Sequence, residues 1–232
     1  MTSTRTRHFP LLVGLLSAVL FGAATPGSKP LLGAFSPQQL AGLLYLGAAV
    51  GVLPLIVRQG SLRWPGKAGR RTTLLLLGAV GFGGVLGPVF LLLGLRLASA
   101  GSVSLWLNLE LVATIVLGRL IFREHMGSLA WIAAAGTVVA AVLLSLGEGA
   151  VGGKAAVLVA LGCLCWGFDN HFTALIDGIT PAETTFWKGI VAGAFNICLG
   201  LLLSSYAGSP LGVLAGLGVG ALCYGLSIVL YI

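Results

Sequence analysis

Of the six acidic residues in this 232-residue chain, two stand inside long apolar runs. Glu110 lies near the centre of residues 104–127 (SLWLNLELVATIVLGRLIFREHMG), a stretch long enough to cross a membrane. Asp169 lies in a second such run and is followed directly by Asn170 and His171. A charge at the bilayer midplane costs roughly 2.5–3.5 kcal/mol on insertion scales, so both carboxylates are expected to face an internal polar cavity. The chemistry open to them there is binding of a proton or of a cationic group. On a continuous helix Glu110 shares its face with Trp106, Leu107, Ala113 and Thr114, while Asn108 points about 200° away and is free to tie the helix to a neighbour. Asp169 shares a face with Trp166 and Thr173. His171 beside a carboxylate offers a proton relay near neutral pH. Lys188, about two turns into a later apolar run, is a candidate counter-ion for either acid.

Plainer readings stand beside these. Glu110 would also serve as a hydrogen-bonding residue between helices, the Asp169–Asn170–His171 triplet as a polar clasp, and Lys188 as a side chain reaching to the interface. Lys29 and Arg96 are expected to reach the surface in that way, and Glu124 and His125 to be solvated at the membrane edge.

The chain is 57% hydrophobic and 8% charged, with a mean hydropathy of +1.05. Soluble domains carry about a quarter charged residues, so the composition places this chain in a bilayer. Its 36 glycines are scattered through the apolar segments, and Gly47-x-x-x-Gly51, Gly83-x-x-x-Gly87 and Gly216-x-x-x-Gly220 predict close helix approach. The formal charge of +7 comes mostly from basic residues beside hydrophobic runs, where they act as topology signals, and nucleic-acid binding is not expected. Cys163, Cys165, Cys198 and Cys223 all fall in apolar segments at spacings that favour neither zinc nor a disulfide framework. No metal or cofactor is expected. The absence of a glycine loop leading into Lys-Ser/Thr disfavours an ATP-driven pump.

Eight helices are expected, at about 9–32, 38–57, 72–97, 102–122, 128–146, 154–176, 182–204 and 210–232. Arg5 and Arg7, the five basic residues of 58–71, and Arg119 and Arg123 all fall on one side, which predicts a cytoplasmic N-terminus. The first segment resembles a signal peptide but is read as a retained anchor, because apolar spans continue to the last residue. Residues 148–154 (EGAVGGK) read as a glycine-containing linker. A weak internal repeat spans it. Phe21-Gly22 matches Trp166-Gly167, Ser36-Pro37 matches Thr180-Pro181 144 positions later, and Gly78 and Gly87 match Gly216 and Gly225. Helices 1–3 then correspond to 6–8, and a five-helix unit puts the second copy upside down, as in secondary transporters with a midplane site. The triplet at Asp169 falls opposite Ala24-Thr25-Pro26, where helix 1 begins a proline-broken segment, so both copies depart from ordinary helix chemistry at the same depth.

On these stretches the sequence resembles the EamA-type family of the drug/metabolite transporter (DMT) superfamily. The resemblance rests on FGAATPGSK, GFGGVLGPVFLLLGL, the segment around Glu110, and LCWGFDNHFTALIDGITPAETTFWKGIVAGAFN. It implies an all-α polytopic membrane protein with a five-plus-five inverted repeat around a central cavity. Residues 1–147 would form the first repeat and 153–232 an incomplete second one, with the last two helices absent. The implied activity is secondary transport of a small metabolite or drug-like molecule across the cytoplasmic membrane by alternating access, with proton coupling as one option. Glu110 and Asp169 would bind the proton or a cationic group, Asn108, Asn170, His171 and Lys188 would support them, and Trp106 and Trp166 would shape the cavity. The alternatives are a truncated non-transporting protein or partner subunit, and a membrane-embedded enzyme, for which His171 with Asp169 is the only candidate pair. The substrate, the direction of transport and the oligomeric state do not follow from the sequence.

Overall fold

The computed structural model describes residues 5–205 and 208–231. Met1–Thr4 and Ile232, the expected end of helix 8, lie outside the described residues. Eight helices are long and apolar enough to span a membrane: α1 (Leu11–Gly33), α2 (Pro37–Gln59), α3 (Arg70–Leu97), α4 (Ala100–Leu120), α5 (Ser128–Gly147), α6 (Gly149–Ala174), α7 (Pro181–Leu203) and α8 (Pro210–Leu230). There is no strand among the described residues. The protein is an all-helical polytopic membrane protein.

Local chemistry sets where several helices begin. Ser36 caps α2 and Thr180 caps α7, each through its hydroxyl, with proline in the first turn and a reciprocating third residue, Gln39 or Glu183. The two capping boxes are 144 positions apart, as were the matched dipeptides. The residues expected as a linker instead form the first turns of α6. Gly149, at φ 71°, makes the whole reversal from α5, so no longer connection is needed. Arg123 is the non-glycine residue with positive φ (57°) among those described.

Four spans are not regular. α1 breaks at Ala23 and again at Lys29, around Pro26 and Pro30. Within α3, Val80–Leu86 is π-helical, and within α8 so is Gly220–Leu226. The fourth irregular span is α4, a helix over Ala100–Trp106 and another over Leu109–Leu120. Asn108 causes that break, because its Nδ2 donates to the Leu105 carbonyl at 2.9 Å and competes with the backbone ladder. The second half of α4 therefore does not continue the first, and the face expected to join Glu110 to Trp106 is divided. α6, by contrast, runs unbroken through Asp169.

The centre of the fold is α2, packed between α7 and α8. It runs antiparallel to α7, and glycines on both let the backbones meet: a Cβ on Gly189 or Gly193 would strike the backbone of α2. The Gly47 and Gly51 face lies on α8, and Gly220 of α8 lies on the Leu44 carbonyl, so the two glycine motifs meet each other. Around this core α3 packs on α6 and α1 on α8, while α3 packs on α7 as α8 packs on α2. Each of these pairings reappears when α1, α2 and α3 are exchanged for α6, α7 and α8. Lys29, expected to reach the surface, instead donates to the Leu95 carbonyl and, at 2.8 Å, to that of Ala98. The open carbonyls at the end of α3 give its ammonium a closer partner than the interface.

Replacing Gly220 by Leu is expected to cost more than about 3 kcal/mol, because the obstacle is backbone and has nowhere to move. Gly136→Leu, where nothing lies within 4 Å of the Cβ position, should leave thermal melting in detergent nearly unchanged. Equal losses for the two variants would show that close approach of α2 and α8 is not what the glycine provides.

Candidate functional site

The break in α4 puts Glu110 in the first turn of the helix that begins at Leu109. The open N–H groups and positive dipole end of that helix favour a carboxylate there. From α6, Asn170 donates to Glu110 Oε1 at 2.9 Å and to Thr114 Oγ1 at 3.4 Å. One residue earlier, Asp169 is buried and paired with Lys188 of α7, Nζ to Oδ2 at 2.5 Å. Its other oxygen accepts from Thr173 at 3.1 Å. Every strong polar group in the cluster thus has a partner, as a low-dielectric setting requires.

The irregular part of α3 makes room for this arrangement. π-Helical geometry releases carbonyls from the ladder, and three side chains use them. Tyr45 of α2 and Trp166 of α6 both donate to the Gly83 carbonyl, Trp166 at 3.0 Å, and Asn196 of α7 donates to that of Gly84 at 2.9 Å. A Cβ on Gly83 would overlap the Asp169 carboxylate, and one on Gly87 would strike the Trp166 indole. The Gly83-x-x-x-Gly87 pattern therefore admits polar side chains from α6 rather than a bare helix face.

Two adjoining chambers result, of about 200 and 240 Å³, sharing Phe21, Glu110, Trp166 and Tyr224 as walls. The first, nearer the basic loops, holds Asp169, Asn170 and Lys188 together with Tyr45. The second holds Thr25, Ser104 and Asn108. Phe21 meets Tyr224 edge-on at 5.7 Å, and Tyr45 lies 6.3 Å from Tyr224. The site is thus a carboxylate-containing cavity with an aromatic lining, at the middle of the spans.

Of the residues singled out in the sequence, Glu110, Asn108, Trp166, Asp169, Asn170 and Lys188 line these chambers. Two do not. Trp106 is fully buried among apolar side chains, its Nε1 donating to the Ala141 carbonyl of α5 at 3.3 Å. The divided helix turns it away from Glu110. His171 is on the other side of α6, where it contacts Gly167 O through Nδ1 at 2.7 Å, stacks on Phe122 and lies 3.7 Å from Glu124. Glu124, expected to be solvated, thus has His171 as a near neighbour. Phe21, Tyr45 and Tyr224 were not singled out as site residues. For the tyrosines the available signal was a phenol in mid-span, which needs a hydrogen-bond partner that lipid does not supply. Among the described residues no group of three or more His, Cys, Asp or Glu could hold a metal ion.

A solved structure described only as "Crystal structure of protein" superimposes with a TM-score of 0.62 at 16% identity, covering 96% of this chain and 77% of that one. At that identity the likeness is one of fold. No curated protein is significantly similar in sequence. The sequence profile of the EamA-like transporter family matches residues 8–146, a stretch that includes the broken α4 and Glu110. With more than half its length matched, the chain belongs to the EamA-like transporter family, within the drug/metabolite transporter superfamily.

Proposed function

We propose that this protein is a secondary carrier that moves a small molecule across the cytoplasmic membrane, unchanged, by alternating access around the Glu110 cavity. The observation that carries the proposal is an imbalance of charge. Asp169 has a cation in direct contact, whereas Glu110 has only the amide of Asn170 and no ion pair among the described residues. Counting Glu110, Asp169 and Lys188 as ionised, the cluster keeps one uncompensated negative charge. A proton or a cationic group on the substrate would supply the missing partner, and the aromatic walls at Phe21, Trp166 and Tyr224 suit the apolar body of a cation.

The same reading treats residues 1–147 and 153–232 as inverted copies, the second holding three helices. The paired capping boxes, the π-helical segments in α3 and α8, and the exchangeable helix contacts all support it. Such repeats move against each other about a site at their interface. The basic residues at one end of the bundle support a cytoplasmic N-terminus.

The test is uptake by proteoliposomes under an imposed pH gradient, screened over small cationic metabolites and drug-like cations. The wild-type chain should accumulate at least one of them, and Glu110→Gln should abolish that accumulation without loss of folded protein. Full gradient-driven uptake by Glu110→Gln would falsify the role given to this carboxylate.

The neighbouring pair gives a separate expectation. Lys188→Met alone leaves Asp169 charged and buried without its cation, which typically costs about 3–5 kcal/mol. Combining it with Asp169→Leu removes both charges and should restore most of the lost stability, measured as a thermal double-mutant cycle in detergent. Additive losses in the double variant would mean that the two side chains are not energetically coupled.

A further inference from the structure

At the basic end of the bundle the segment between α2 and α3 folds back onto α7. The Arg63 backbone N–H donates to Glu183 Oε1 at 2.6 Å, and the Trp187 indole donates to the Arg63 carbonyl at 2.8 Å. Trp64 meets Trp187 edge-on at 4.9 Å. These contacts hold open a hollow of about 560 Å³ lined by Arg63, Lys67, Trp64, Leu62, Ala68 and Gly178. Of the Arg63 guanidinium, Nη1 donates to the Gly178 carbonyl at 3.0 Å, which aims the group and leaves its other donors open. The Lys67 ammonium has no hydrogen bond or ion pair among the described residues.

The acids nearby do not neutralise these cations. Glu183 is 1% exposed, and its two oxygens accept the backbone N–H groups of Arg63 and Thr180. Asp177 is exposed and forms no ion pair among the described residues. Arg58, Arg70 and Arg71 lie in the flanking segments without carboxylate partners among the described residues, so with Arg63 and Lys67 the cations here outnumber Asp177 and Glu183 by five to two. Topology signalling needs only the charges. It does not need a shaped hollow, a guanidinium fixed by a carbonyl, or a half-exposed indole at the rim.

We propose that this hollow binds the phosphate of an anionic phospholipid headgroup from the adjacent leaflet. Arg63 and Lys67 would hold the phosphate oxygens, and the Trp64 indole N–H, which makes no hydrogen bond among the described residues, would reach the glycerol region. A membrane lipid is favoured over a soluble phosphate because the rim is apolar as well as basic. Leu62 and Trp64 are 43% and 58% exposed beside the end of α2, where acyl chains would cover them. The hollow is separate from the Glu110 cavity and shares no lining residue with it. Bound lipid would brace the loop that grips the start of α7.

The full chain, purified in neutral detergent, is titrated with phosphatidylglycerol or phosphatidylcholine, and retained lipid is counted by native mass spectrometry. Phosphatidylglycerol should bind in preference, and Arg63→Gln/Lys67→Gln should weaken it by about thirtyfold, from the usual contribution of two surface cations. Both substitutions keep the backbone contacts to Glu183 and Trp187, and a melt confirms the fold. The charge-matched control Arg119→Gln/Arg123→Gln should retain wild-type binding. Equal retention of phosphatidylcholine, or an equal loss in the control, would leave only diffuse attraction and overturn the site. Displacement of the lipid by millimolar inorganic phosphate would overturn the assignment to a lipid and make this a soluble-anion site.

Discussion

Gln39 and Glu183 hold the two ends of one antiparallel helix pair, and the rest of the bundle is arranged around that grip. Each is the third residue of a capping box, and each uses one side-chain atom on its own N-cap N–H. The other end of each side chain crosses to the partner helix. Gln39 Nε2 donates to the carbonyls of Gly200 and Ser204 at the end of α7, while Glu183 Oε1 accepts from Arg63 just beyond α2. The choice of residue follows from what each end lacks. A helix C-terminus presents open carbonyls, so an amide is needed to donate, and a loop N–H needs an acceptor, so a carboxylate serves. With both ends fixed, the glycines between them bring α2 and α7 to backbone contact, and this leaves α3 and α8 to pack on either side.

That close-packed centre explains why the irregular backbone occurs where it does. Non-helical backbone at membrane depth is tolerated only where it is buried in protein or lines a cavity. The π-helical turn of α3 satisfies the condition twice, since its freed carbonyls are taken by Tyr45, Trp166 and Asn196 and its glycines make room for Asp169 and Trp166. The break in α4 satisfies it differently: Cys163 Sγ lies 3.8 and 3.7 Å from the carbonyls of Trp106 and Leu107, the Glu110 N–H donates to that of Leu107 at 3.0 Å, and Asn108 takes that of Leu105. Tyr45, Trp166, Asn196 and Asn108, polar or amphipathic side chains within apolar spans, thus serve as partners for backbone carbonyls.

This also marks what could be read from the sequence. The spans follow from hydropathy, and the start of α2 and α7 from Ser-Pro and Thr-Pro, because those signals are local. Glu110 and Asp169 stood out because a carboxylate in an apolar run has few bland explanations. The chamber walls at Phe21, Tyr45 and Tyr224 did not stand out, since an aromatic residue in a span is ordinary until its neighbours are known. Helical periodicity groups Trp106 with Glu110 only on an unbroken helix, and Asn108 breaks it. His171 was grouped with Asp169 by adjacency, yet residues two apart on a helix face different ways. The π-helical turns have no period of their own, and only the glycine clusters hint at them.

The two carboxylates coexist in one small cavity because their surroundings differ. Asp169 is held from two sides, by Lys188 and Thr173, in a niche opened by Gly83 at the wall of the chamber. Glu110 stands at the start of a helix, tied by one amide, with space on both sides of it. The first arrangement resists change, since moving Lys188 would strand a buried charge. The second costs little to rearrange, because Asn170 can release Glu110 to another donor without leaving a charge unpaired that was paired before. Under the proposed transport function, a fixed ion pair beside a loosely held carboxylate would be a division of labour, in which one acid keeps α6 and α7 in register while the other is left to meet whatever enters.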